Sequence, residues 1–176
     1  MREQGLVHLY YGNGKGKTTA AMGLALRALG QGKQVVIVQF LKNHVTGEIK
    51  LFEQMEHVRL FRGKAGNHFT SSMTPEELSK TKEIHEQNFS QALELIEQGR
   101  CELLVLDEIL DAVAKGLFEE KPLISLLEQR PRTLEVVLTG RKPSERVRAI
   151  ADYITKMEKE RHPFDSGIPA REGIEY

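Results

Sequence analysis

Residues 6–11, Leu-Val-His-Leu-Tyr-Tyr, are rich in β-formers, and only His8 interrupts the apolar run. They lead through Gly12-Asn13-Gly14-Lys15-Gly16-Lys17-Thr18-Thr19 into a run in which Ala20, Ala21, Leu24, Ala25, Ala28 and Leu29 recur at helical spacing, with Gly30 as a stop. A buried strand that turns through glycines into a helix constrains the fold more than any other stretch. Glycines let backbone N–H groups converge on an anion, and the helix adds the positive end of its dipole. Lys17 adds a charge and the Thr18 hydroxyl a magnesium ligand, which together read as a phosphate loop. The standard loop has its first glycine where this chain has Tyr11, so the loop is one residue short. A dinucleotide fingerprint is excluded, because its third glycine would fall on Lys17 and no acid ends the second strand.

The rest of the chain repeats the alternation. Apolar runs at 34–40, 58–61, 103–106 and 133–139 read as strands, with a last short one at 153–155. Between them, Thr74, Pro75 and Glu77 announce a capped helix that buries Leu78, His85, Phe89, Ala92, Leu93 and Ile96 and ends before Gly99. Residues 109–114 and 122–129 are helical, Pro143 opens another helix, and 63–73 has the composition of a long functional loop. Strands apolar on both faces, alternating with helices, predict a three-layer α/β/α P-loop nucleotide-binding fold with a mainly parallel sheet. With 176 residues and no linker, the expectation is one domain over residues 1–176.

Charge narrows the partners. The chain has 25 Lys+Arg and 25 Asp+Glu, so its formal net charge is zero, which disfavours a nucleic-acid partner held by bulk electrostatics. The balance is uneven: residues 1–75 carry 10 basic and 4 acidic side chains, residues 76–176 carry 15 and 21. A basic front half suits a polyanionic substrate near the loop lysines. Cys101 has no partner for an internal disulfide, the N-terminus has no apolar signal region, and no apolar run spans a bilayer, so a soluble cytoplasmic protein is expected.

Asp107 and Glu108 end a buried strand at the edge where such sheets bind ligands, and either could hold magnesium or cap the next helix. Arg141 ends another strand and is aimed at the same edge. The six histidines show no zinc-like spacing; Cys101 and His85 read as core residues. The residues alone leave open an ordinary P-loop hydrolase or kinase and a non-catalytic carrier of a nucleotide or another ligand.

The short loop, then Val38-Gln39-Phe40, Val105-Leu106-Asp107-Glu108, Leu138-Thr139-Gly140-Arg141 and Ala151-Asp152, resembles the P-loop family of ATP:corrinoid adenosyltransferases. The closing stretch, from His162-Pro163-Phe164-Asp165-Ser166-Gly167 through Arg171-Glu172-Gly173-Ile174-Glu175-Tyr176, is similar to that family's C-terminus almost position by position. The resemblance implies transfer of the 5′-deoxyadenosyl group of ATP to the Co(I) of a reduced corrinoid, cobalamin or a precursor, with release of triphosphate. It implies Mg2+, a homodimer, and a reductase or corrinoid-delivery protein as possible partners. It also implies an ATP orientation in which the attacked atom is the ribose 5′ carbon, in keeping with a shortened loop. By that resemblance Gly12, Asn13, Gly14, Lys15, Gly16, Lys17, Thr18 and Thr19 bind the nucleotide, with Arg141 beside them. Lys17, Thr18 and Glu108 serve catalysis, and Thr18, Asp107 and Glu108 lie on the magnesium side. Family members often carry Phe-Thr-Trp against the corrin; this chain has Phe69-Thr70-Ser71, so Phe69 alone carries over.

Overall fold

The structure, a computed structural model, describes residues 4–44, 46–68 and 70–175. The chain runs β1 (Val7–Tyr11), α1 (Lys17–Leu29), β2 (Val35–Gln39), α2 (Gly47–Phe52), β3 (Val58–Arg62), α3 (Pro75–Glu97) and β4 (Leu103–Asp107). It continues through α4 (Ile109–Ala114), α5 (Glu120–Gln129), β5 (Glu135–Gly140), α6 (Glu145–Ile150) and β6 (Tyr153–Lys156), with 3-10 turns at Thr70–Ser72 and Pro163–Ser166.

The strands form one sheet in the order β3-β2-β4-β5-β1-β6, and every pairing among them is parallel. Strand periodicity sorts their side chains into two cores. Val35, Ile37, Leu103, Val105 and Val137 pack against Ala21, Met22 and Ala25 of α1 and Ile49 and Phe52 of α2. Val36, Val38, Leu104, Leu106, Val136 and Leu138 face the other way, onto Phe89, Ala92 and Ile96 of α3, the α4 and α5 leucines and isoleucines, and Val147 of α6. These are the three expected layers.

The α3 start behaves as its sequence dictates. Thr74 accepts from the Glu77 N–H, Glu77 returns a bond to the Thr74 N–H, and Pro75 sits in the first turn. Several details differ from expectation. α2 was not anticipated, being six residues with only Ile49 and Phe52 buried. Gly30 ends α1 in a right-handed conformation, and Gly32 (φ 74°) makes the left-handed turn instead. α6 begins after Ser144, whose hydroxyl accepts from the Val147 N–H, so Pro143 precedes the cap rather than opening the helix. α3 buries Thr81, while Leu78 is only half-buried.

Candidate functional site

β1, β2, β4 and β5 all end at one edge of the sheet, and the phosphate loop lies over it between β1 and α1. Gly12 and Gly16 adopt φ 117° and 107°, a region that favours glycine. At Gly12 a side chain would also collide with the Met157 carbonyl oxygen, because residues 157–159 run alongside the loop. The Gly14 N–H donates to the Met157 carbonyl at 2.8 Å, and the Lys159 N–H donates to Asn13 Oδ1 at 3.0 Å. The loop's first half is therefore braced by protein. An anion is left to the first turn of α1, where N–H groups have no partner within the helix.

The loop's second half meets β4. Thr18 Oγ1 donates to Asp107 Oδ1 at 2.9 Å, and Thr139 Oγ1, from β5, donates to the same oxygen at 2.7 Å. Gln39 Nε2, from the end of β2, donates to Asp107 Oδ2 at 3.1 Å. Asp107, Thr139 and Gln39 are fully buried. The carboxylate survives burial because four donors serve it, the fourth being the Lys42 ammonium, 2.7 Å from Oδ2. Lys42 Nζ also donates to Thr18 Oγ1 at 3.0 Å and lies 3.4 Å from Glu108 Oε1. Burial by itself would lower the Lys42 pKa, but Asp107 and Glu108 outweigh it and hold the ammonium above its ordinary value. Burial, with Asp107 and Asp111 adding repulsion, raises the Glu108 carboxyl against the pull of Lys42.

Glu108 occupies the N-cap position of α4 in a left-handed conformation (φ 62°) and makes no side-chain cap bond. Its N–H is fixed by Thr139 Oγ1 at 2.8 Å, so its carboxylate turns to Lys42 rather than to the helix. A non-glycine residue held in this region by its surroundings is typical of a functional site. Lys17 Nζ donates to the Gly14 carbonyl at 2.6 Å; burial and then Arg141 lower its pKa. Arg141 follows β5 at the surface, its N–H bonded to Asp111 Oδ2 at 3.1 Å. Lys15 is exposed and lies 3.2 Å from the Glu175 carboxylate of the closing segment, and Thr19 is exposed on α1. Phe69 lies outside the described residues.

Of the residues expected at the site, Thr18, Asp107 and Glu108 come together; Lys42, Gln39 and Thr139 join them without having been expected there. Only the position of Lys42 was signalled: it comes three residues after the end of β2, at the same sheet edge that singled out Asp107 and Arg141. Its direction is set by non-local contacts. Leu41 adopts φ 60°, and its N–H donates to Nε2 of the buried His85 at 3.1 Å. His85 Nδ1 bonds the Leu117 carbonyl at 3.0 Å, so the imidazole is neutral, and burial lowers its pKa. Burial pushes the Cys101 thiol up to about 12, as suits a core residue.

A hollow of about 210 Å³ between α4, α5 and the Lys142-Pro143-Ser144 segment, lined also by Leu110, Val113 and Leu123, shares no residue with this polar group. Among the described residues no helix is long and apolar enough to cross a membrane.

Comparison with known proteins gives a consistent result. Residues 3–176 match the family described as ATP:corrinoid adenosyltransferase BtuR/CobO/CobP. A corrinoid adenosyltransferase of a Sinorhizobium species is 34% identical, the alignment covering 99% of this chain and 81% of that protein. Corrinoid adenosyltransferases of Escherichia coli K12 and Pseudomonas aeruginosa are 32% and 33% identical, again over 99% of this chain and over 87% and 85% of theirs. Among solved structures, a KaiC-like protein from Pyrococcus horikoshii is similar with a TM-score of 0.51, covering 90% of this chain and 75% of its own. At 17% identity that likeness speaks to the fold alone.

Proposed function

Since this chain belongs to the ATP:corrinoid adenosyltransferase family and so adenosylates a reduced corrinoid in an ATP-dependent reaction, we propose that it does so at the polar group around Thr18 and Asp107. One observation carries the assignment. The 2.9 Å bond between Thr18 and Asp107 joins the phosphate loop to the end of β4, where a triphosphate on the α1 N-terminus would meet the only fully buried carboxylate among the described residues.

In this reading the Co(I) of the substrate corrinoid attacks the ribose 5′ carbon. A cobalt–carbon bond forms, the bond from that carbon to the triphosphate oxygen breaks, and triphosphate leaves with the electron pair. Co(I) is already a strong nucleophile, so the protein contributes position and charge rather than proton transfer. Lys15, Lys17 and the first-turn amides of α1 neutralise the departing triphosphate. The Lys17 ammonium would exchange the Gly14 carbonyl for a phosphate oxygen, with Arg141 alongside. Phe69 is proposed to sit against the corrin.

The residues fit a magnesium ion. Thr18 Oγ1, Asp107 and Glu108 present hard oxygen donors around one spot that already accommodates a positive nitrogen, and the buried Gln39 Oε1 beside them has no hydrogen-bond partner. Magnesium bound there would offset charge on the triphosphate.

Residues 1–176 are read as one adenosyltransferase domain that works in the cytoplasm as a homodimer, with a reductase or corrinoid-delivery protein supplying the substrate. The homodimer draws support from the edge strand β6, where Tyr153 and Ile154 are exposed, and from exposed Phe164, Ile168 and Ile174 nearby in sequence. Anaerobic incubation with ATP, magnesium and a chemically reduced corrinoid is expected to form a light-sensitive cobalt–carbon bond. ATP consumption with no such product would overturn the assignment.

A further inference from the structure

We propose that Lys42 is a built-in placeholder for the cation: its ammonium holds the metal-side oxygens together until a nucleotide-bound cation displaces it. The proposal rests on the reading of Thr18, Asp107 and Glu108 as metal-side residues and extends it to the order of loading.

Three observations converge on Lys42. Its nitrogen contacts an oxygen of each of those three residues, at 3.0 Å from Thr18 Oγ1, 2.7 Å from Asp107 Oδ2 and 3.4 Å from Glu108 Oε1. An ammonium has three donors, and here all three are directed at the oxygens a hard cation would take. Next, Gln39 supplies its N–H to Asp107 while its buried Oε1 accepts nothing, which leaves one acceptor beside the carboxylate that Lys42 does not use. Last, the segment that carries Lys42 is fixed from both sides. Leu41 is held by His85, and Asn43 donates to the Lys64 and Gly66 carbonyls at 2.8 and 2.6 Å while accepting from the Lys64 N–H at 2.8 Å. The lysine is aimed by this frame rather than left to wander on a loose loop.

An ammonium and a magnesium ion cannot share that spot, because two positive charges a few ångströms apart repel in a partly desolvated site. Free metal gains these oxygens but has to displace a well-bonded ammonium that finds no new partner. A cation that arrives on a triphosphate brings phosphate oxygens along, and these give the displaced ammonium a new partner. Metal and nucleotide are accordingly taken up together, and the empty enzyme binds metal alone only weakly. Meanwhile Lys42 keeps Asp107 and Glu108 from repelling one another.

Binding of Mn2+, read by the electron-paramagnetic-resonance signal of the free ion, tests this on the full chain. Wild type and Lys42→Arg are expected to take up Mn2+ weakly without nucleotide, and Lys42→Met and Lys42→Gln at least about tenfold more tightly, since no ammonium has to leave. A merely structural lysine would not raise metal affinity when removed. As a second measurement, Mg2+ alone should raise the melting temperature of both neutral variants and leave that of wild type in place. Mn2+ affinity in folded Lys42→Met and Lys42→Gln no better than in wild type would overturn the placeholder. Thr18→Val measured with ATP separates the two readings. Loss of Mn2+ uptake there keeps the metal-side assignment whatever Lys42 does, and unchanged uptake removes both.

Discussion

On one side of the phosphate loop, Thr18 joins Asp107, Thr139, Gln39 and Lys42 in a group whose carboxylate has no exposed surface and four donors. On the other side, Asn13, Gly14 and Lys15 meet Lys159, Met157 and Glu175 close to solvent. The second contact draws on the closing stretch through Glu175 alone, and it is held by two bonds to the backbone of residues 157–159 and one ion pair near the surface. The first joins two motif residues, Thr18 and Asp107, to three that no motif marks as site residues, and each of its members depends on the others. Burial decides the difference: an unpaired charge costs little at the surface and several kcal/mol inside.

The largest expected effect comes from breaking the buried side. Asp107→Asn leaves Lys42 facing a neutral amide and should lower folding stability by about 3–5 kcal/mol, read by urea denaturation, and turnover with it. A loss below about 1 kcal/mol would mean that the group is far less interdependent than its bonds suggest. Lys17→Ala comes next and separates chemistry from folding. Its ammonium contacts one carbonyl, so the variant should melt like wild type while turnover falls about 100-fold or more.

How far the sequence carried this site depends on what each residue's role requires. Thr18 and Asp107 were legible because a glycine-rich turn after a strand, and an acid at a strand end, are local patterns with few other uses. Both cores were legible for the same reason: strands such as Val35–Gln39 are apolar at every position bar one. Lys42 was not legible, because its aim depends on a left-handed Leu41 and on a histidine 44 residues further along. Glu108 read equally as a cap or a ligand; it takes the N-cap position without a side-chain cap bond, and the Thr139 hydroxyl that fixes its N–H comes from a strand 31 residues away. The course of residues 157–175 past the loop has no periodicity to announce it.

A smaller effect follows from His85, which aims the Lys42 segment only while neutral. Its folded pKa lies below the unfolded 6.5, so its contribution is complete above that pH and is lost as pH falls through the lower folded value. Wild-type stability should exceed that of His85→Leu by about 1 kcal/mol at pH 8 and lose that margin below pH 6. A margin that grows on acidification would contradict the neutral imidazole. Glu175→Gln should show least. The carboxylate is held down to about 2, first by Arg171, so its contribution is present above the unfolded value and fades as pH drops from about 4 toward about 2. At pH 7 the variant should turn over within about threefold of wild type, and a larger loss would promote the closing segment to an equal of the buried side.

The phosphorus products of a single anaerobic turnover, with ATP, magnesium and a chemically reduced corrinoid followed by phosphorus NMR, test the central claim most directly. Wild type should yield inorganic triphosphate in step with the cobalt–carbon bond, and Asp107→Asn should yield neither. ADP and inorganic phosphate in place of triphosphate, or an undiminished yield from a folded Asp107→Asn, would contradict the placement of adenosyl transfer at this group.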